Sequence, residues 1–171
     1  MATRLQFIKS VSGADVSTLS ITDCFSSQYQ NYELHIVEYI NSDLADFFAM
    51  RFIDSGGNII SDTEYAYANL NMRMYTSFSQ NKSASTNEIN NVGYSQSNSK
   101  TSTSNIMNIF NPFDSSAYTY VTWKGVIWVQ GFGGGGMKAI GIHENAEQLS
   151  GVSFHAGNAI DSMKVNVYGI L

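Results

Sequence analysis

The sequence predicts an all-β chain folded as a two-sheet antiparallel sandwich, and three observations predict it. Apolar residues recur at alternate positions through most of the chain, as strands with one buried face require. No segment carries convincing amphipathic-helix spacing; the best candidate, Ser42 to Ala49, is short and runs directly into strand-like sequence. The alternating segments number about eight to ten, which fits two packed sheets.

In chain order, Arg4 to Val11 and Thr18 to Phe25 are the first strands. In Tyr32 to Ile40, Tyr32, Leu34, Ile36 and Ile40 share one parity and Glu33, His35, Val37 and Tyr39 the other, so both faces are expected to be covered. Phe48, Met50 and Phe52 then alternate with Ala49, Arg51 and Ile53 in the strand Phe47 to Ile53. Asp54-Ser-Gly-Gly-Asn58 supplies residues that tolerate positive φ, and Ile59-Ile60 starts the return of a hairpin. Across Tyr65 to Phe78, Leu70, Met72 and Met74 repeat the period against Asn71, Arg73 and Tyr75.

From Asn81 to Asn105 the composition changes to Ser, Asn, Thr, Lys and Gln, with Ile89, Val92 and Tyr94 as the larger apolar residues. This stretch is expected to be one long polar loop or arm. Ordering against another subunit, a plain surface excursion and a ligand-contacting loop are all open readings of it. Asn105 to Phe110 is a short strand closed by Asn111-Pro112, and Thr119 to Gln130 is a long one rich in Val, Ile, Trp and Tyr. Met137 to His143 and Gly151 to Phe154 follow. The closing strand, Met163 to Ile170, alternates Met163, Val165 and Val167 against Lys164, Asn166 and Tyr168, and its last residues are expected to lie inside the sheet system.

At 171 residues the chain fits a single domain, 1–171, large enough to hold a core without staples. Its one cysteine, Cys24, excludes an intrachain disulfide and reads as a buried thiol, since no basic residue adjoins it to lower its pKa. Net charge is −5 with 13% charged residues, and the nine Lys and Arg are scattered, so nucleic acid is not an expected partner. No apolar run is long enough for a signal peptide or a membrane span, which points to a protein made in the cytoplasm.

Chemistry-bearing motifs are absent at sequence level. Gly131-Phe-Gly-Gly-Gly-Gly-Met137 lacks the Gly-Lys-Ser/Thr of a phosphate loop and any following helix, so it reads as a flexible turn between strands. His35, His143 and His155 show no metal-ligand spacing. His143-Glu144 has Glu147 where a zincin helix would have its second histidine. Asp43 with Asp46, and Glu144 with Glu147, are carboxylate pairs expected in turns rather than across a catalytic cleft. No nucleophile elbow is present. The expectation is therefore no catalytic residue, no metal and no cofactor. Ten Tyr, ten Phe and two Trp are read mainly as core and cross-strand pairs. Tyr94, Tyr118 and Tyr120, close to polar loops, are the candidate contacts to a glycan or a neighbouring subunit.

The order of these features resembles the small jelly-roll structural proteins of tailed bacteriophages, particularly those of marine bacteria and cyanobacteria, often described as virion or tail fibre proteins. The features are an early Ser/Thr-rich strand ending at Phe25, Tyr29-Gln-Asn-Tyr32, Met50-Arg-Phe52 before Ser55-Gly-Gly57, and Tyr65-Ala-Tyr67. They continue with the Ser/Asn-rich middle, the Trp- and Val-rich strand, Gly151-Val-Ser-Phe154, Gly157-Asn158 and Val167-Tyr-Gly-Ile170. Where family members carry Thr-Ser-Gly before Tyr-x-x-Tyr, this chain has Cys24-Phe-Ser-Ser27. The resemblance implies a jelly-roll-like β-sandwich and a non-enzymatic virion protein working by assembly. That protein would form an oligomer, a trimer, in a tail, baseplate or fibre appendage, with other virion proteins as partners. It also leaves a capsid decoration or vertex protein, and a module that binds a host surface glycan, as alternatives.

Overall fold

The computed structural model describes residues 4–42, 46–75, 77–95, 102–129 and 133–171. Among them the chain is all-β, forming a jelly-roll-like antiparallel β-sandwich. Its strands are β1 (Leu5–Gly13), β2 (Val16–Ile21), β3 (Asn31–Asn41), β4 (Asp46–Asp54), β5 (Tyr65–Arg73) and β6 (Ser79–Thr86). They continue with β7 (Ile89–Ser95), β8 (Thr103–Phe110), β9 (Thr119–Val129), β10 (Gly133–His143) and β11 (Leu149–Ile170).

The 22-residue β11 organises the two layers. Its second half pairs with β1 on one side and β3 on the other, and its first half pairs with β2 and β4. The three ribbons β1-β2, β11 and β3-β4 thus pass together from one layer to the other. The larger layer continues from β3 through β8, β9, β10 and β5 to the edge strand β6, and the smaller ends at β7 beyond β4. β7 lies across the inner face of the larger layer, against β9, β5 and β8.

Between the layers sit the fully buried Tyr32, Leu34 and Ile36 of β3, Phe48, Met50 and Phe52 of β4, Met107 and Ile109 of β8, and Val152 and Phe154 of β11. Burial of such side chains contributes roughly 1.5–3 kcal/mol each before conformational entropy is set against it. Two tyrosines bring their hydroxyls into this core with partners. The Tyr32 hydroxyl accepts from the Ser26 N–H at 2.6 Å and donates to the Ser26 carbonyl at 2.8 Å. The Tyr65 hydroxyl accepts from the Phe52 N–H at 3.0 Å and donates to the Ile60 carbonyl at 3.2 Å, holding the connection between β4 and β5 over the sandwich.

Several expectations are corrected in detail. The polar stretch 81–105 is largely strand: β6 adds to the edge of β5 and β7 to the edge of β4, with Ile89, Val92 and Tyr94 supplying the buried side. Residues 96–101 of the expected arm lie outside the described residues. In β3 the register shifts between Ile36 and Tyr39, which swings Tyr39 into the core and leaves Val37 on an exposed face. In the Gly131 to Gly136 run, Gly133 to Gly136 are not a turn but part of β10, all four paired with β9 and Gly135 and Gly136 with β5 as well; 130–132 lie outside the described residues. The best helical candidate, Ser42 to Ala49, is strand from Asp46 onward, in keeping with its short length, and 43–45 lie outside the described residues. At the C-terminus Met163, Val165 and Val167 are buried as expected, but Leu171 is exposed beyond the last ladder pair, Leu5 with Ile170.

Candidate functional site

The parity of β5 determines the molecule's most unusual surface. Tyr65 faces the core, so Asn69 and Asn71 are also turned inward and buried, while Leu70 and Met72 point outward. Polar residues therefore lie inside this strand and apolar ones outside, the reverse of what a free surface strand needs. The outward row continues across the ladder. Leu70 lies opposite Lys138, Lys138 opposite Lys124, and Lys124 opposite Ile106. One step along, Met72 and Val126 flank Gly136, and Met74 and Trp128 meet across Gly134.

The Gly134 and Gly136 positions matter here because a Cβ on either would stand 3.2–3.3 Å from Met72 or Met74 side-chain atoms, so the methionines lie in the space the glycines leave. In the other direction Ile140 sits between Ala68 and Thr122. Leu70, Met72, Ile106, Val126, Trp128 and Ile140 are all more than a third exposed, and Ile140 and Val126 more than half. Two shallow clefts of about 660 and 650 Å³ adjoin on this face and share Ile106, Lys124 and Lys138. Among the described residues neither lysine has an ion-pair partner. Two like charges directly opposite each other on a sheet repel, so the centre of this apolar face carries unneutralised positive charge.

A second cluster lies where β5 begins and β10 ends. The pairing of Tyr65 with His143 sets Glu64 beside the end of β10, and the Glu144 N–H donates to the Glu64 carbonyl at 2.6 Å. The connection to β11 then brings Glu147 to the same place. His143 is fully buried, with the Tyr65 ring 4.9 Å and the Phe52 ring 5.8 Å from its own. Its Nε2 stands 3.3 Å from Glu64 Oε2 and 3.6 Å from Glu147 Oε1, and neither ring nitrogen makes a well-formed hydrogen bond. Burial pushes the imidazole below its ordinary pKa, opposed in part by the Glu64 carboxylate. Burial also raises the Glu147 carboxyl, helped by the negative charges of Glu64 and Asp54.

The residues singled out from sequence divide. Tyr94 is buried, its ring 4.4 Å from that of Phe47, so it is not a contact that a glycan or a docking subunit can reach on this surface. Tyr118 and Tyr120 are exposed, Tyr120 on the outer face of β9 beside Ile142. His35 pairs with Glu33 at 2.6 Å and His155 with Glu88 at 2.7 Å, each on a different part of the molecule from His143. Asp54 accepts from the Asn58 N–H at 2.8 Å within its turn, which holds its carboxyl below the usual range. Cys24 is buried, and desolvation pushes its thiol up to about 12.

No family model matches the chain, and no curated protein does. Likenesses to solved structures are distant. A marine PL-14 alginate lyase from Aplysia kurodai aligns over 98% of this chain and 87% of its own, at 8% identity and a TM-score of 0.35. A non-specific endo-beta-1,3(4)-glucanase of family GH16 aligns over 92% and 70%, at 7% identity and a TM-score of 0.25. The CBM2 module of the Lactobacillus casei BL23 phage J-1 evolved Dit aligns over 99% and 81%, at 8% identity and a TM-score of 0.17. Likenesses this weak say nothing about activity.

Proposed function

We propose that this chain is a non-enzymatic structural protein of a tailed-bacteriophage virion, acting by assembly in a tail, baseplate or fibre appendage. The outer face of β8, β9, β10 and β5 would be covered by a neighbouring copy. The observation that carries this reading is the inversion in β5: asparagines inward, Leu70 and Met72 outward, on a face continuous with Ile106, Val126, Trp128 and Ile140. Monomers rarely expose contiguous apolar patches beyond roughly 300–600 Å². Here six large apolar side chains on four strands surround Lys124 and Lys138 on one face. The order of sequence features shared with phage jelly-roll proteins supports the virion setting.

Charge favours a head-to-tail contact over a two-fold one. In a two-fold pairing through this face, Lys124 and Lys138 would meet their own copies, four ammonium groups in an apolar setting. A heterologous contact instead presents the lysines to a different surface of the next copy. With a net charge of −5, that copy has carboxylates to spare, and Asp15, Asp23, Asp62 and Glu144 are exposed. A heterologous contact whose rotation closes makes a ring, of which a trimer is the smallest, and one that does not close makes a filament.

A second reading rests on the same lysines. Lys124 and Lys138 between apolar clefts, with Trp128 and Tyr120 exposed nearby, also suit an acidic host polysaccharide, whose sugar faces stack on aromatics. Light scattering coupled to size exclusion, together with binding to acidic and neutral polysaccharides, separates the two. A stable trimer that ignores glycans supports assembly. A monomer that binds acidic glycan, and loses it when Lys124 and Lys138 are both changed to Gln, supports the second reading and removes the first.

A further inference from the structure

We propose that Glu64, His143 and Glu147 form a binding site for one divalent transition-metal ion, with zinc the best fit. Three observations carry it. The donor set is one imidazole and two carboxylates, with potential ligand atoms that all lie within 4.8 Å of one another. Such a mixed nitrogen and oxygen set suits zinc and its first-row neighbours. Next, His143 is a fully buried polar side chain whose ring nitrogens make no well-formed hydrogen bond while Nε2 faces both carboxylates. A buried polar group without a partner needs an explanation, a bound ion among them, and of those among the described residues His143 is the one that faces two carboxylates.

The distances supply the third observation. A tetrahedral zinc with ligands at about 2.0–2.1 Å holds its donor atoms about 3.3–3.4 Å apart. His143 Nε2 lies 3.3 Å from Glu64 Oε2 and 3.6 Å from Glu147 Oε1. Those separations are long for hydrogen bonds and close to the edges of that tetrahedron. An ion can therefore enter with only small side-chain shifts.

His143 forms the floor of the site, while the Glu64 and Glu147 side chains are each about a third exposed, 34% and 30%, and form an open rim. Nε2 itself is closed off from solvent, so an ion enters as the partly exposed Glu64 and Glu147 side chains move aside, and water can complete the fourth position as in other three-ligand sites. The ligands come from three places in the chain: the connection before β5, the end of β10 and the connection into β11. Binding would tie these together at one end of the sandwich. The other ring nitrogen, Nδ1, lacks the acceptor that usually supports a metal-bound imidazole. Such support is worth roughly 10–100-fold in affinity, so binding is expected to be weaker by that factor than at a site whose imidazole is so supported.

The test uses the full-length, tag-free chain stripped with chelator and titrated with zinc by calorimetry, with thermal unfolding followed in parallel. The expected result is one ion bound per chain and a melting temperature raised by roughly 5–10 °C at a hundredfold excess over Kd. Glu64→Gln and Glu147→Gln, which keep side-chain size and leave His143 in place, should each weaken binding at least tenfold. His35→Gln and His155→Gln, at the other imidazole–glutamate pairs, should leave it unchanged. Cobalt in place of zinc should give the visible absorption of a four-coordinate ion. The proposal is overturned if the stripped chain neither binds zinc nor changes its melting temperature. It is equally overturned if the glutamine variants bind as tightly as the parent, or if loss follows His35 or His155 instead.

Discussion

Replacing Ile140 by lysine separates folding from assembly. Ile140 lies on the outer face of the central strand β10, between Ala68 and Thr122, and is 52% exposed in the single chain. In the monomer a lysine there meets solvent, so the folding cost stays near the ±0.5 kcal/mol of surface substitutions. An interface would lose the half of the side chain still available for burial, about 1 kcal/mol of the roughly 1.5–3 kcal/mol for a whole isoleucine. It would also have to desolvate an ammonium group, a penalty of several kcal/mol. The new charge joins Lys138 two residues away on the same face, which keeps it unneutralised. With about 1 kcal/mol from lost burial and about 3 from the charge, the contact weakens by about 4 kcal/mol, or nearly three orders of magnitude in Kd at 1.4 kcal/mol per tenfold. Sedimentation velocity over a concentration series reads the association, and circular dichroism melting checks that the variant remains folded. A folded I140K that associates as tightly as the parent refutes the placement of the interface on this face.

Further substitutions and conditions test the fold beneath that face. Gly151→Ala should cost more than about 3 kcal/mol in urea unfolding, because a Cβ there would stand 2.1 Å from the Ile21 backbone oxygen and the β2–β11 ladder cannot yield as a side chain can; an unchanged midpoint would show that ladder to be loose. Tyr32→Phe should lose about 1–3 kcal/mol, since its hydroxyl both accepts from and donates to Ser26, and a smaller loss would mean water replaces it. Cys24 should resist alkylation in the native state at mildly alkaline pH. Its thiol is raised from 9.0 to about 12, so the folded chain keeps a proton that the unfolded chain gives up. The associated stability is present below pH 9 and declines between pH 9 and 12, by up to about 1.4 kcal/mol per pH unit. Rapid native alkylation, or a flat stability profile over that range, contradicts the buried placement.

Much of this fold could be read from the sequence because most strands bury one face. Phe48, Met50 and Phe52, and Met163, Val165 and Val167, show the alternation and are buried as it requires. β6 escaped because an edge strand with polar side chains on both faces, Ser79 to Thr86, carries no alternation at all. β7 escaped because Asn91 takes a left-handed φ of 57°, which breaks the period between Ile89 and Val92. β11 was legible only as two halves, since Ala156 to Ala159, where the ribbon passes between layers, holds no large apolar residue. Face assignment was the deeper limit. Leu70, Met72 and Met74 have the alternation of an inward face, but the inward parity belongs to Tyr65, and only the ladder with β10 reveals it. The Glu64, His143 and Glu147 cluster depends on the same ladder. The register of Tyr65 with His143 joins residues far apart in the chain, which no local spacing rule can find.

The claim that a neighbouring copy covers this outer face is tested most directly by hydroxyl-radical footprinting of the unaltered chain, dilute and concentrated. Met72 and Trp128 are oxidisable reporters on the face, and Phe7, exposed on β1 beyond β11, reports on the far edge of the same layer. Met72 and Trp128 are expected to become severalfold protected as concentration rises while Phe7 continues to react. Equal oxidation of Met72 and Trp128 at all concentrations where the chain is associated would contradict the claim.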